Sequence, residues 1–433
     1  MERITVIGAG LAGVEASWQI VRQGGHVLLY EMRPKKFTPA HKTAYFAELV
    51  CSNSLRSKEI TSAVGLLKEE MRLLGSLVME AALVTTVPAG KALSVDREEF
   101  AKYITEKIKK HPKIEIRHEE VIDIPEKGIV VLATGPLTSD ALSKALRTIT
   151  GKEHLHFYDA IAPIVYADTV NMNIAFLASR YDKSKDYINC PLNEKEYNHF
   201  YQALIMAEQV PLHAFETLHF FEGCLPIEVM AERGKDTLRF GPMKPVGLVD
   251  PRTGREPYAV VQLRRENKEG TLYNMVGFQT KLKWSEQKRI FRLIPGLEQA
   301  EFARYGSIHR NTFIDAPRLL DKYLRLKSVP HIFIGGQLSG VEGYVESAAT
   351  GILVGINAYR LSKNKPLVCP PPTTALGALV SHLNNTVAKD FQPMNINWGL
   401  FPSSMPVSNK KERHKFYVNR ALAALEKWTK VLN

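Results

Sequence analysis

Arg3-Ile4-Thr5-Val6-Ile7-Gly8-Ala9-Gly10-Leu11-Ala12-Gly13, followed by an apolar-periodic run to Gln23 and by His26-Val27-Leu28-Leu29-Tyr30-Glu31, decides the fold of this chain. Arg3 to Ile7 reads as a buried parallel strand, Leu11 to Gln23 as a helix and His26 to Glu31 as a second strand, which makes a βαβ unit. The glycines match GxGxxG in the one context that gives the pattern meaning, between a strand and a helix with an acidic residue ending the next strand. Gly8 permits a tight turn, Gly10 lets the backbone approach a pyrophosphate, and Gly13 lets helix and strand pack closely. The helix N-terminus adds unpaired N–H groups and positive potential for the phosphates. Glu31 is expected to accept hydrogen bonds from the ribose hydroxyls. Residues Gly8, Ala9, Gly10, Leu11, Ala12, Gly13 and Glu31 are thus candidate dinucleotide-binding residues.

Around this unit the chain runs to 433 residues, enough for two or three domains. With 45% hydrophobic and 24% charged residues it is neither disordered nor fibrous in composition. Met1 to Gly8 leads directly into the first strand, so no secretory signal is expected. Apolar runs such as Ile129 to Ala133 fall far short of the roughly 20 residues that span a bilayer, and a cytoplasmic protein is expected. Four cysteines (Cys51, Cys190, Cys224, Cys369) without CxxC spacing argue against a disulfide framework or a tetrahedral zinc site. Lys and Arg outnumber Asp and Glu by 57 to 45, a net charge of +12 that favours a polyanionic partner. Lys410 to Lys430 holds seven Lys/Arg against two Glu, with Phe416, Tyr417 and Trp428 interleaved. That suits either phosphate neutralisation with base stacking or an ordinary amphipathic helix docking its apolar side.

The pattern stays α/β to about residue 155. It includes a helix from Ala63 to Glu80, a helix from Glu98 to Lys110 capped by Asp96, and strands at Ile114 to Ile116 and Ile129 to Ala133. From 156 to 300 the alternation becomes irregular and reads as an inserted domain. A strand at His331 to Ile334, a Gly335-Gly336 turn and a helix to about Arg360 then restore the first pattern, and a mostly helical tail follows Pro370 to Pro372. The expected organisation is residues 1–155 and 301–433 as two parts of one FAD-binding domain, the second carrying a basic helical tail, around an inserted α+β substrate or RNA domain at 156–300.

FAD and NAD share the glycine fingerprint. Two later stretches favour FAD by resemblance to the glutathione-reductase-like flavoproteins. IVVLATGP (129–136) resembles their strand and ATG turn, which brings in Thr134 and Gly135. IFIGGQLSGVEGYVESAA (332–349) resembles their closing segment, which brings in Gly335, Gly336 and Gln337. There the helix N-terminus points toward the isoalloxazine and would stabilise an anionic reduced flavin. The fold class is therefore α/β, a Rossmann-like FAD-binding domain with an insertion.

Cys51 lies in LVCSNSL before three good N-cap residues, and Cys224 lies in EGCLP, whose Pro226 suits the first turn of a helix through Glu228 to Glu232. Both thiols are expected at helix N-termini, where local potential favours the thiolate. Residue by residue, a buried inert cysteine fits either position as well.

Taken together, GAGLAGVEA, YEMRP, ELVCSNSLRS, FEGCLPIEVMAERG, LRFGPMKPVGL, MVGFQTKL, IHRNTF, GGQLSGVEGYVESAATG and NWGLFP resemble the folate- and FAD-dependent tRNA (uracil-5-)-methyltransferase family, TrmFO, related to the GidA flavoproteins. These motifs run from residue 8 to residue 402. The resemblance implies formation of ribothymidine in the tRNA T-loop, with a one-carbon unit passing from methylenetetrahydrofolate by way of reduced FAD and with NADH or NADPH as reductant. It implies Cys224 as the thiol that attacks uracil C6, Cys51 as its partner, either in acid–base work or as a transient cap on the activated carbon, Arg33 and Tyr344 at the cofactor, with Tyr344 on the isoalloxazine, and His309 against the folate pterin. Cys190 and Cys369 match no such motif and are expected to be structural. The same chemistry on ribosomal RNA is the alternative within the class. A flavin-containing RNA-binding protein and a plain NAD(P)H oxidase are the alternatives outside it.

Overall fold

The computed structural model describes residues 3–151, 155–182, 184–210, 225–386, 391–402 and 409–432, without the side chains of residues 155–159, 182, 309, 310 and 410. The opening run forms β1 (Ile4–Ile7), α1 (Leu11–Arg22) and β2 (Val27–Tyr30), with β1 and β2 parallel from Ile4 opposite Val27 to Ile7 opposite Tyr30. Val6 and Leu29 are fully buried, as expected of parallel strands covered on both faces. A Cβ on Gly13 would stand 1.8 Å from the Gly8 carbonyl oxygen, so no side chain fits where α1 leaves β1.

After β3 (Ser54–Ser57) the single helix expected from Ala63 to Glu80 is instead two, α2 (Ala63–Leu73) and α3 (Leu77–Val84). The break lies at Gly75, which adopts φ +70° and has the Arg22 guanidinium where a side chain would be. Arg22 hydrogen-bonds to the carbonyls of Leu74 and Gly75, and Ser76 restarts the helix by accepting from the Met79 amide. The short strands β4 (Thr86–Val87) and β5 (Ala92–Val95) join β3 in an antiparallel sheet of order β3-β5-β4. In α4 (Arg97–Lys109) the Asp96 carboxylate caps the amides of Glu98 and Glu99, matching the sequence expectation. β6 (Ile114–Arg117), β7 (Val130–Leu132) and α5 (Asp140–Thr150) follow.

The chain then leaves along β8 (Leu155–Ile161) and builds a six-stranded antiparallel sheet from β9 (Ile164–Tyr166), β10 (Phe176–Leu177), β11 (Tyr187–Leu192), β12 (Ala259–Arg265), β13 (Leu272–Met275) and β14 (Phe302–Arg304). Its order is β10-β11-β12-β13-β9-β14. Four helices, α6 (Glu194–Ile205), α7 (Ile227–Glu232), α8 (Thr237–Phe240) and α9 (Trp284–Phe291), contribute Phe200, Ile227, Leu238 and Phe291 to a second core with Cys190, Val261 and Met275. The return strand β15 (Ser307–Phe313) runs antiparallel to β8 over its whole length.

Past α10 (Ala316–Leu319), β16 (Ile332–Ile334) adds parallel to β7, completing a five-stranded parallel sheet of order β16-β7-β1-β2-β6. α11 (Tyr344–Ser362) packs on α1, with α12 (Ala375–Asn385) and α13 (Lys410–Leu432) beyond. α13 buries Tyr417, Val418, Ala421, Leu425 and Trp428 and turns Lys411, Arg413, Lys415 and Lys427 outward. No helix among the described residues is long and apolar enough to cross a membrane.

Candidate active site

A cleft opens above the C-terminal ends of the parallel strands, the position where open α/β sheets bind ligands. Gly8, Gly10, Leu11, Ala12, Glu31, Arg33, Thr134, Gly135, Gly336, Gln337 and Tyr344 line it. Ala9, Gly13 and Gly335 do not reach its wall. Ala9 instead donates its amide to Glu31 Oε2 at 3.1 Å. Gly10 precedes the first turn of α1 and offers no side chain to cap its N–H groups, and a Cβ built on Gly10 would meet nothing within 4 Å. Free helix-start amides facing open space are what a dinucleotide pyrophosphate requires, so the residues present fit FAD.

Glu31 is more heavily engaged than the sequence indicates. Oε1 accepts from the Arg33 amide (3.1 Å) and Nε (2.9 Å), while Oε2 accepts from an Arg33 terminal nitrogen (3.2 Å) as well as from Ala9. Burial raises this carboxyl, but the hydrogen bonds and charge of Arg33, with the two amides, outweigh it and hold the group below its usual range. Arg33 is itself nearly sealed and reaches Glu48 at 3.2 Å. A ribose hydroxyl at Glu31 would share oxygens already bonded to Arg33. On the far wall Gly336 donates its amide to Thr350 Oγ1 at 2.8 Å, and Gln337 Nε2 is oriented by Glu342 at 2.6 Å.

Tyr344 opens α11 and its hydroxyl accepts two backbone N–H groups, from Cys51 at 2.7 Å and from Ser52 at 3.2 Å. Burial, and then the neighbouring Cys51, push the Tyr344 phenol far up, so it remains a neutral hydroxyl. This pair of bonds brings the Cys51 segment to the cleft mouth, where Val50 lines the wall. Cys51 is not at a helix N-terminus as expected: Ser54 begins β3, paired with β5. Its candidate capping neighbours are used otherwise. Ser52 Oγ accepts from Arg264 at 2.7 Å, and the buried Asn53 accepts from Arg264 Nε at 3.1 Å while donating to the carbonyls of Val95, Arg265 and Glu266.

Three guanidinium groups from remote parts of the chain close around this segment. Arg97 bonds to the Leu49 carbonyl and pairs with Glu266. Arg304 forks onto the carbonyls of Val50 (2.9 Å) and Cys51 (3.1 Å). Burial and then the charge of Arg97 lower Arg304 to about 10, and burial and then Arg304 lower Lys42. The sequence reading missed these arginines. The available signal was a cation inside otherwise apolar or aromatic strands, Arg264 after Ala259-Val260-Val261-Gln262-Leu263 and Arg304 between Phe302 and Tyr305.

Cys224 lies outside the described residues. Flanking them, Val210 donates its amide to Lys281 and Ile227 to Gln279, and Pro226 precedes α7. The backbone of His309 sits in β15 opposite Asp159, and its side chain is outside the described set. Cys190 is sealed in the second core, where burial pushes its thiol up, and Cys369 packs against the first core with its thiol likewise raised by burial.

A family model described as glucose inhibited division protein A matches residues 3–366. The methylenetetrahydrofolate–tRNA-(uracil-5-)-methyltransferase TrmFO of Heliobacterium modesticaldum is 59% identical over 427 residues, covering 98% of this chain and 97% of that one. The protein of the same name from Geotalea uraniireducens is 59% identical over 433 residues, covering 100% and 99%. Among solved structures, Aquifex aeolicus GidA in its form I crystal superposes with a TM-score of 0.73 at 18% identity, covering 100% of this chain and 76% of that one, a likeness of fold. With the cleft, the glycine turn and these relatives in agreement, the chain belongs to the TrmFO family within the wider glucose inhibited division protein A group.

Proposed function

We propose that this chain is a folate-dependent tRNA uracil-5-methyltransferase acting on the T-loop uridine, with methylenetetrahydrofolate as one-carbon donor, FAD as cofactor and NADH or NADPH as the external reductant. The observation that carries the reading is the double hydrogen bond from the amides of Cys51 and Ser52 to Tyr344 Oη, which ties a thiol-bearing segment to the mouth of a dinucleotide cleft. Reduced FAD, when bound, supplies the electron pair that takes a methylene-level carbon to a methyl group.

The chain's own groups supply the rest. Uracil C5 is a poor nucleophile. Attack of the Cys224 thiolate on C6 forms an S–C bond and moves the C5–C6 electron pair onto the enolate, so that C5 can bond to the carbon fragment as the C–N bond that carries the fragment breaks, its electron pair going to nitrogen. A base then removes the C5 proton, the C5–C6 double bond re-forms and the thiol leaves. We assign that acid–base work to Cys51, whose backbone is held on both sides by Arg304 and Tyr344. Gly8, Gly10, Leu11, Ala12, Glu31 and Arg33 would hold the adenosine and pyrophosphate end, with Ala9 and Gly13 shaping the turn behind them; Thr134, Gly135, Gly336 and Gln337 would flank the flavin end, with Gly335 behind them, Tyr344 would pack on the isoalloxazine and His309 on the pterin. Residues 156–300 serve as the inserted substrate domain between the two parts of the FAD domain, a division supported by the separate second core.

The test is mass analysis of tRNA digests after incubation with the purified protein, methylenetetrahydrofolate and reductant. 5-Methyluridine in the T-loop is expected, and Cys51→Ala and Cys224→Ala should each remove it while the protein stays yellow. Methylation confined to ribosomal RNA, or reductant oxidation that survives both substitutions, would overturn the reading.

A further inference from the structure

A ladder of four rings leads from the second core to the surface. Phe291, fully buried, stands 6.4 Å from Phe302, Phe302 5.1 Å from Tyr305, and Tyr305 5.7 Å from Trp284. The last two steps are near-parallel, at 22° and 17°, and the indole at the end is 65% exposed. Such a stack is rigid at its base and presents an unmatched flat face to solvent. Lys283, exposed and paired with Glu208 at 2.5 Å, stands beside the indole in sequence, and exposed Lys288 lies one helical turn further along the same side of α9. Tyr305 directly follows Arg304, the residue that holds the Val50 and Cys51 carbonyls, so the ladder grows from the strand that braces the candidate active segment.

We propose that Trp284 is a stacking platform for a nucleobase of the RNA substrate, a neighbour of the uridine that enters the cleft. The inference rests on the proposed function and names how its substrate is gripped. A uridine whose C5 must meet a buried cofactor has to leave its stack, and its neighbours lose stacking partners when it does. A fixed ring replaces that contact for any base, while Lys288, and Lys283 on exchanging Glu208 for a phosphate, meet the adjoining backbone. The pterin of the folate donor offers the same flat heteroaromatic chemistry, so the test separates the two.

Full-length FAD-containing protein and its Trp284→Ala and Trp284→Phe variants are compared for binding of an unmodified tRNA transcript, for KM toward tRNA and toward methylenetetrahydrofolate, and for flavin content. Trp284→Ala should weaken tRNA binding and raise KM for tRNA about five- to a hundred-fold, the range of base–aromatic stacking. KM for folate and flavin content should be unchanged, and Trp284→Phe should recover most of the loss. Unaltered tRNA binding by Trp284→Ala, or a rise in KM for folate alone, would overturn the proposal. Binding is measured independently of turnover, so a wild-type protein that binds tRNA without methylating it counts against the proposed function and leaves the role of Trp284 decided by its own result.

Discussion

Replacing Arg304 by Met separates what holds the active segment from what holds the fold. Arg304 stays charged at neutral pH although burial and Arg97 lower it from 12.5 to about 10. At about 1.4 kcal/mol per pH unit, keeping that charge costs the folded state about 3 kcal/mol. Because the folded value is the lower one, this cost is complete below pH 10 and is relieved only as pH rises toward 12.5. Against it stand two charge-assisted hydrogen bonds, to the carbonyls of Val50 and Cys51, worth roughly 1.5 to 3 kcal/mol each. The hydrogen bonds match the charge cost or exceed it by up to about 3 kcal/mol, and Met keeps much of the side-chain volume. Chemical denaturation at pH 7 should therefore show a loss of no more than about 3 kcal/mol. Methyl transfer should fall at least about ten-fold, the effect of about 1.4 kcal/mol of lost positioning, because the Cys51 peptide is then tied on one side only. A loss of stability beyond about 4 kcal/mol with methylation intact would refute this reasoning and make Arg304 a plain structural residue.

The glycine turn offers a paired contrast. Gly10→Val should fold with near-wild-type stability but purify without FAD, since its side chain enters only the open cleft, whereas Gly13→Ala should fail to accumulate because its methyl group would meet the Gly8 carbonyl; flavin absorbance and soluble yield report the two outcomes. Glu70 of α2, buried against the start of α12 where it accepts the Ala375 and Leu376 amides, is raised by burial to about 7. A carboxyl raised in this way stabilises the fold fully below the ordinary 4.5 and loses that contribution as pH rises through about 7. Glu70→Gln should thus flatten the fall in Tm between pH 5 and pH 7.5, and an unchanged slope would count against it.

The βαβ start was legible because its signals are local: glycine spacing, apolar periodicity and an acidic strand end all lie within residues 3–31. The Asp96 cap was legible for the same reason. The break between α2 and α3 was not, because what occupies the space at Gly75 is a guanidinium from Arg22, more than fifty residues earlier. Ser52, Asn53 and Ser54 carry the right groups for a cap, but Arg264 takes the first two and β3 begins at the third. A capping residue is recognised by composition, and composition does not say which distant donor reaches it first. The site followed the same division. The cleft glycines could be read from spacing, whereas the cage of Arg97, Arg264 and Arg304 exists only once three separate segments converge.

The parallel sheet also sets an order of assembly. Its edge strand β16 and the helix α11 that covers α1 both come after the second core in the chain. During synthesis, the excursion from β8 to β15 can collapse around its own apolar centre while the nucleotide half still lacks a border strand and a lid helix. The first 150 residues therefore emerge from the ribosome as an unfinished sheet with apolar surface uncovered, closed only when β16 and α11, which begin at Ile332 and Tyr344, arrive. Truncation after β15 should accordingly leave a product that aggregates through its first segment, even though the excursion it contains is whole.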